Sequence, residues 1–394
     1  MSNPTTLTSL FDGSAPGWSL SGPERYNSGL WLEEATTNLL RNPSAEADHT
    51  TGVAYSGGVT GSRNTDHHSV GSASFGVVTP ATVSTGIVIS SATGLGLTGS
   101  ALPFVGSMDL EGNGSVNVNV VLRYTDTTNT TGSTQLHANG SGYQRVKTPV
   151  VTSDPAKTLT SVEIAARNSA NAVITFYPDA AQVEQKAYAT SYADGSLGAG
   201  YGGSAGAWTR AASSASISPT GILNPASGAL AFRITPTIET GLEEIWGECG
   251  VKGSGTDHVR WGRDASKHPF VEWSANNASY QRLTGSETLN ALTTYDLYLG
   301  HSATTISLAV DAGTLQTGTR AAVSGDFSTG DLTLEASAGG VIYQPFATFD
   351  RPLMNYEVAR LNSAGTWTMG TVLARRFDSV QLARFRVSSC MGVR

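Results

Sequence analysis

Trp246, Trp261, Trp273 and Tyr280 lie close together in the sequence, among Arg263, Asp264, Asn276, Asn277 and Gln281. Aromatic faces bordered by amides and carboxylates are what a sugar ring needs: its apolar side stacks while polar neighbours take its hydroxyls. These four aromatics are therefore the candidate glycan-binding residues. Strand parity limits the reading. In VRWGRD, Trp261 shares a face with Val259, and in VEWSANN, Trp273 shares a face with Val271. Residues two apart on a strand point the same way, so at least one of these indoles is expected in a core.

Other chemistry is harder to assemble. The densest acidic run, IETGLEEIWGE, carries Glu239, Glu243, Glu244 and Glu248. Glycoside hydrolysis needs two carboxylates about 5 to 10 Å apart across the scissile bond. The E-x-D-x-x-E spacing that would set them on one strand face is missing, so these acids read as solvated groups on a turn. His67 and His68 follow Asp66, but sequence neighbours on a strand point to opposite faces, and a zinc set wants spaced ligands and a third partner. A surface loop is the expectation there. No P-loop or C-x-x-C is present, and the Gly-rich stretches read as turns and linkers. Cys249 and Cys390 are too far apart for spacing to pair them, and unpaired thiols are expected.

The elements that must position these residues are strands. Charged residues make up 14% of the 394, well below the roughly 25% of average domains, while glycine alone contributes 45. β-Branched runs bounded by Gly, Asn, Asp and Ser recur throughout, with no long 3.6-residue periodicity. The chain reads as all-β. SVNVNVVLRY, residues 115–124, alternates cleanly, and 158–168 and 172–184 read as two further strands. A net charge of −7 argues against a nucleic-acid surface. The last 24 residues run the other way, with five arginines against Asp378, and read as a solvated or docking tail. No apolar run reaches the roughly 20 residues of a membrane span, and MSNPTTLTSL lacks the apolar stretch of a signal peptide. SLGAGYGGSAGAWTRAA reads as a flexible linker. Residues 1–35 form a Pro/Gly-rich arm carrying Trp18 and Trp31, which needs an apolar partner.

Two distant segments carry a resemblance. ATTNLLRNPSAE (35–46) and DAAQVEQKAYATSYADG (179–195) are similar to the two ends of a carbohydrate-binding-module-like jelly roll found in bacteriophage tail proteins. That type opens with TNL-x-x-NPS-x-E and closes with D-x-x-Q-x-E and ATSY-x-DG; GYQRVKTPVVT matches its aromatic-x-R-V strand, with Tyr143 where Trp is commoner. Farther on, Val310-Asp311-Ala312-Gly313 and FDRPL (349–353) with Glu357 resemble the concanavalin A-like, laminin-G-like lectin and glucanase fold. The resemblance implies two antiparallel β-sandwich domains: a jelly roll at 36–197 and a lectin-like sandwich at 208–370. An arm at 1–35, a linker at 198–207 and a basic extension at 371–394 complete the organisation. Both families often hold structural Ca²⁺, and Glu46, Asp48 and Asp179 are the candidate ligands. The implied protein is a non-catalytic virion component of minor-tail or tail-fibre type, assembled in the host cytoplasm. It would attach to a host-surface glycan and contact other virion subunits, as a homo-oligomer with a trimer favoured. A purely architectural spacer and a secreted polysaccharide hydrolase are the alternatives.

Overall fold

A computed structural model describes residues 30–46, 48–91, 95–138, 140–193, 208–210, 212, 214–217, 227–250, 258–274, 280–311, 313–320, 332–349, 352–355 and 358. The expected linker at 198–207, the extension at 371–394, Trp18, Asn276, Asn277, Glu357 and Cys390 lie outside them. So do the side chains of Trp31, Leu30 and residues 344–349.

The protein is all-β. In chain order the first strands are β1 (Leu30–Glu33), β2 (Thr36–Asn38), β3 (Val53–Tyr55), β4 (Thr60–Asn64), β5 (Ser74–Thr79), β6 (Gly86–Ser90) and β7 (Pro103–Gly112). They continue as β8 (Val116–Tyr124), β9 (Asn129–Thr131), β10 (Gln135–His137), β11 (Gly140–Lys147), β12 (Val151–Thr152), β13 (Leu159–Asn168), β14 (Ile174–Glu184) and β15 (Trp208–Arg210). The remainder are β16 (Ser214–Ile217), β17 (Gly228–Pro236), β18 (Glu244–Cys249), β19 (His258–Arg263), β20 (Pro269–Ser274) and β21 (Gln281–Thr284). The last are β22 (Tyr295–His301), β23 (Thr305–Val310), β24 (Gln316–Thr319), β25 (Leu332–Glu335) and β26 (Gly340–Phe349). A helical hydrogen bond from Val358 N to Met354 O follows β26, in the expected place.

These strands form two compact units. The first, from Ala35 to Ala211, is called the inserted unit here. Its two main sheets run β10-β8-β13-β6-β3, with β9 on β8, and β11-β7-β14-β5-β4, with β12 on β7. Val116, Val118 and Val120 face inward and are fully buried, while Asn117 points the other way, as the alternation requires. They meet Phe75, Phe104, Met108, Leu110 and Phe176 from the other sheet in one core. The second, outer unit joins β1-β26-β17-β22-β23-β24 to β16-β25-β18-β19-β20-β21 through a core of Trp, Tyr, Phe and Leu. The expected turn after β23 is present: Asp311 takes a positive φ of 50° and its carboxylate accepts from Asp296 N at 2.8 Å.

Two boundaries differ from the sequence reading. Residues 30–33, expected in a separate arm, form an edge strand of the outer unit, with Leu30 opposite Tyr343 and Glu33 opposite Gly340. The cause is Leu32, fully buried in the outer unit's core. Trp208–Arg210, expected at the start of the second sandwich, instead pairs with Thr36–Asn38. That pairing supplies backbone partners to β2, which belongs to neither main sheet. The jelly roll is thus an insertion in the outer unit's chain, with its own ends zipped together. Leu32→Ala is expected to cost about 2–3 kcal/mol, low for a buried leucine because an edge strand can close on the space. Chemical denaturation of the full chain, followed by tryptophan fluorescence, checks this.

Candidate functional site

The tryptophans of the sequence-predicted platform are inside. Trp246 and Trp261 are 0% exposed and Trp273 is 2% exposed, all in the outer unit's core. Valine parity was therefore right for both Trp261 and Trp273, and none of the three offers a face to a ligand. The indole nitrogens of Trp246 and Trp261 are satisfied internally: Trp261 Nε1 donates to Tyr343 Oη at 3.2 Å, Tyr343 Oη to Trp246 O at 2.6 Å, and Trp246 Nε1 to Glu244 at 3.0 Å. Gly247 makes room for the Trp261 ring, which a Cβ there would approach to 2.3 Å. Tyr280 is half-buried on the outward side of this sheet. Its hydroxyl bonds His258 Nδ1, and the Arg260 guanidinium lies 4.4 Å from its ring centroid, so the ring is occupied. Glu244, read as solvated, is 0% exposed and pairs with Arg263 at 2.7 Å.

The candidate calcium ligands serve another purpose. Asp179 is fully buried and accepts from Ser44 Oγ at 2.6 Å, Ser69 N at 2.8 Å, Val70 N at 3.0 Å and Ala180 N at 2.7 Å. Glu46 accepts from Ser72 N, Ser72 Oγ and Ala73 N, and Asp48 from Thr50 N, Thr51 N and Thr51 Oγ1. Calcium requires oxygen lone pairs, whereas the groups converging here are mainly N–H donors, which a cation repels. These residues do not fit Ca²⁺; they pin the segments 69–73 and 50–51. Among the described residues, no group of three or more His, Cys, Asp and Glu is placed to hold a metal.

The motif that carried the jelly-roll resemblance proves to be a clasp. A β-bulge between Asp179 and Gln182, with Ala180 at a φ of 46°, inserts one residue into β14. The D-x-x-Q-x-E spacing therefore puts Asp179, Gln182 and Glu184 on one face, where a strict alternation would not. Each holds another segment: Asp179 holds Ser44, Gln182 accepts from Ala193 N at 2.7 Å, and Glu184 bonds Thr36 and Thr190. Asn38 completes the clasp, donating to Ala181 O at 2.9 Å and accepting from Val183 N.

Beside the clasp, the outward face of β11-β7-β14 is partly covered by residues 67–70, with Ser69 Oγ donating to Asp109 at 2.7 Å. Tyr177 lies opposite Glu111, and Asp179 opposite Asp109, with Arg145 next to Asp109. The His67 ring stacks on Tyr177, with centroids 4.0 Å apart and planes within 4°, while its Nδ1 meets Glu111 at 3.1 Å. Arg145 donates to Asp109 at 3.1 Å, Ser107 at 2.8 Å and Ala180 O at 2.7 Å. Tyr143 stands in the same field; burial, reinforced by Asp179, Glu111 and Asp109, pushes its phenol pKa up. Here is a ring surface flanked by two carboxylates and a guanidinium, all half-buried and fixed by neighbours. The sequence reading placed His67 in a surface loop and passed over Tyr177. The available signal was parity: Tyr177 is out of phase with the core residue Phe176.

No family model matches the chain, and no curated protein matches it. Among solved structures, a heptameric SAP-like pentraxin from Limulus polyphemus is similar over 45% of this chain and 85% of its own, at 10% identity and a TM-score of 0.35. The CBM22-1 xylan-binding domain of Paenibacillus barcinonensis Xyn10C covers 39% of this chain and 96% of its own, at 10% identity and a TM-score of 0.29. The CBM22-1-CBM22-2 tandem of the same protein covers 80% and 98%, at 10% identity and a TM-score of 0.30. None of these specifies a ligand for this chain.

Proposed function

We propose that this chain is a non-catalytic glycan-binding protein that attaches a virion, of phage minor-tail or tail-fibre type, to a host surface. The observation that carries the reading is the Tyr177–His67 ring pair, with the His67 side chain 40% exposed, set among Glu111, Asp109 and Arg145 on the β11-β7-β14 face of the inserted unit. Stacking supplies an apolar contact for a pyranose, and the fixed polar groups take its hydroxyls. The virion context rests on the resemblance of residues 35–46 and 179–195 to phage tail jelly rolls. A shallow site of this kind binds at about millimolar strength, roughly −4 kcal/mol. Useful attachment then comes from repeated copies, which raise avidity by about 10² to 10⁴; a homo-oligomer, with a trimer favoured, meets that need.

The test is a glycan array with the purified full chain, alongside Tyr177→Ala and Glu111→Gln. Retention on at least one glycan is expected, falling at least tenfold in Tyr177→Ala with thermal stability nearly unchanged. Absence of any retention, or equal retention by Tyr177→Ala, would replace this reading with the architectural one. Release of reducing ends from a retained polysaccharide would overturn its non-catalytic part.

A further inference from the structure

His137 lies at the end of β10, a three-residue strand that among the described residues pairs only with β8. It sits opposite Val116, a core residue, and is 2% exposed, while Gln135 and Leu136 before it are exposed. Neither ring nitrogen has a side-chain hydrogen-bond partner among the described residues, and the Leu110 carbonyl lies against the ring. The chain then crosses to the other sheet as β11, which carries Tyr143 and Arg145 beside Asp109. An imidazole inside a sandwich with no carboxylate to pair with is held there in its neutral form, because a buried cation without a counter-charge costs several kcal/mol.

We propose that His137 is an acid-sensitive latch: its protonation frees β10 from β8 and, through the continuous chain, loosens the β11 strand that carries Tyr143 and Arg145. Charged groups on the strands packed around it do not offset that charge. Arg123 of β8 is bound to Glu163, and Asp109 of β7 to Arg145 of β11; Glu111 is bound to His67, and Lys147 is exposed. All of these residues except Lys147 are tied up on the outward faces. Burial holds the His137 pKa below that of an ordinary histidine, with the Leu110 carbonyl partly opposing it. Once β10 opens, the ring titrates near its unperturbed value of about 6.5. The latch's contribution is therefore complete above about pH 6.5 and is lost progressively as pH falls toward the depressed folded value.

The opening is read by hydrogen exchange on the full chain, after correction for intrinsic rates. Opening that exposes a group titrating near 6.5 is expected to accelerate exchange in β10 and the start of β11 between pH 7.5 and pH 5, by at most about thirtyfold, while β13 and β14 hold. His137→Phe, or His137→Leu if the larger ring is not accommodated, should abolish the acceleration. Unchanged β10 protection at pH 5, equal acceleration in β13 and β14, or persistence of the effect in the folded variant would each overturn the latch. Its consequence for glycan release rests on the binding-face reading, but exchange reports the opening whether or not a glycan binds.

Discussion

Trp261→Ala is expected to cost the outer unit about 3–5 kcal/mol, the range for deleting a large buried aromatic. The indole is fully buried, packs at 5.7 Å from the Phe232 ring and donates to Tyr343. Its removal therefore leaves both a cavity and a buried hydroxyl short of one donor. Because Trp261 belongs to the outer unit's core, glycan retention by Tyr177 and its neighbours should persist under conditions where the variant is still folded. Denaturant unfolding at constant slope measures the cost. A loss below about 1 kcal/mol, together with lost glycan retention, would restore Trp261 to the binding platform first suggested by the sequence.

Arg263→Met is expected to be comparably damaging, at about 3–5 kcal/mol, for an electrostatic reason. Arg263 and Glu244 are buried together: the guanidinium donates to Glu244 at 2.7 Å and to Leu289 O at 2.6 Å, and it also bonds Ile238 O. Glu244 has other donors in Thr240 and Trp246, but these do not neutralise it. Removing the cation strands a carboxylate in the core. The double variant Glu244→Gln with Arg263→Met should regain much of the loss, since no buried charge then remains, and a double-mutant cycle reads the coupling directly. Strictly additive single effects would show that the pair does not act as a unit.

Much of the fold was legible because alternation is a local property. The valines of 116–120 declared a half-buried strand, and the Val–Trp parity in VRWGRD and VEWSANN pointed to at least one buried indole, where the structure buries both. The D-x-x-Q-x-E run announced a jelly-roll end, but its bulge was not legible. Ala180's left-handed backbone is imposed by partners as distant as Ser44, and nothing in the Ala-Ala pair signals it. The calcium proposal failed for a related reason. A carboxylate's identity does not reveal whether lone pairs or N–H groups will face it, and Asp179 meets donors brought from residues 44, 69 and 70. The Tyr177–His67 cluster was missed because its members come from β7, β11, β14 and a loop, with no spacing that joins them. The role of β1 was hidden by the greatest distance of all, since four residues with one buried leucine do not say which sheet they will join.

That distance also orders events on the ribosome. Glu34 and Gly339, which bond one another, are 305 residues apart. At about 5–20 residues per second of synthesis, β1 waits roughly 15–60 seconds for the strand beside which it belongs. Meanwhile the jelly roll is completed, and the pairing of Thr36 with Arg210 gathers its two ends. The loop that must close to dock β1 is thereby shortened by more than half, yet closure entropy grows only logarithmically, so the thermodynamic saving is below about 1 kcal/mol. The gain lies in timing: the nascent chain carries a folded insert while Leu32 is still unpaired, and that interval is when a neighbouring nascent copy could capture the strand.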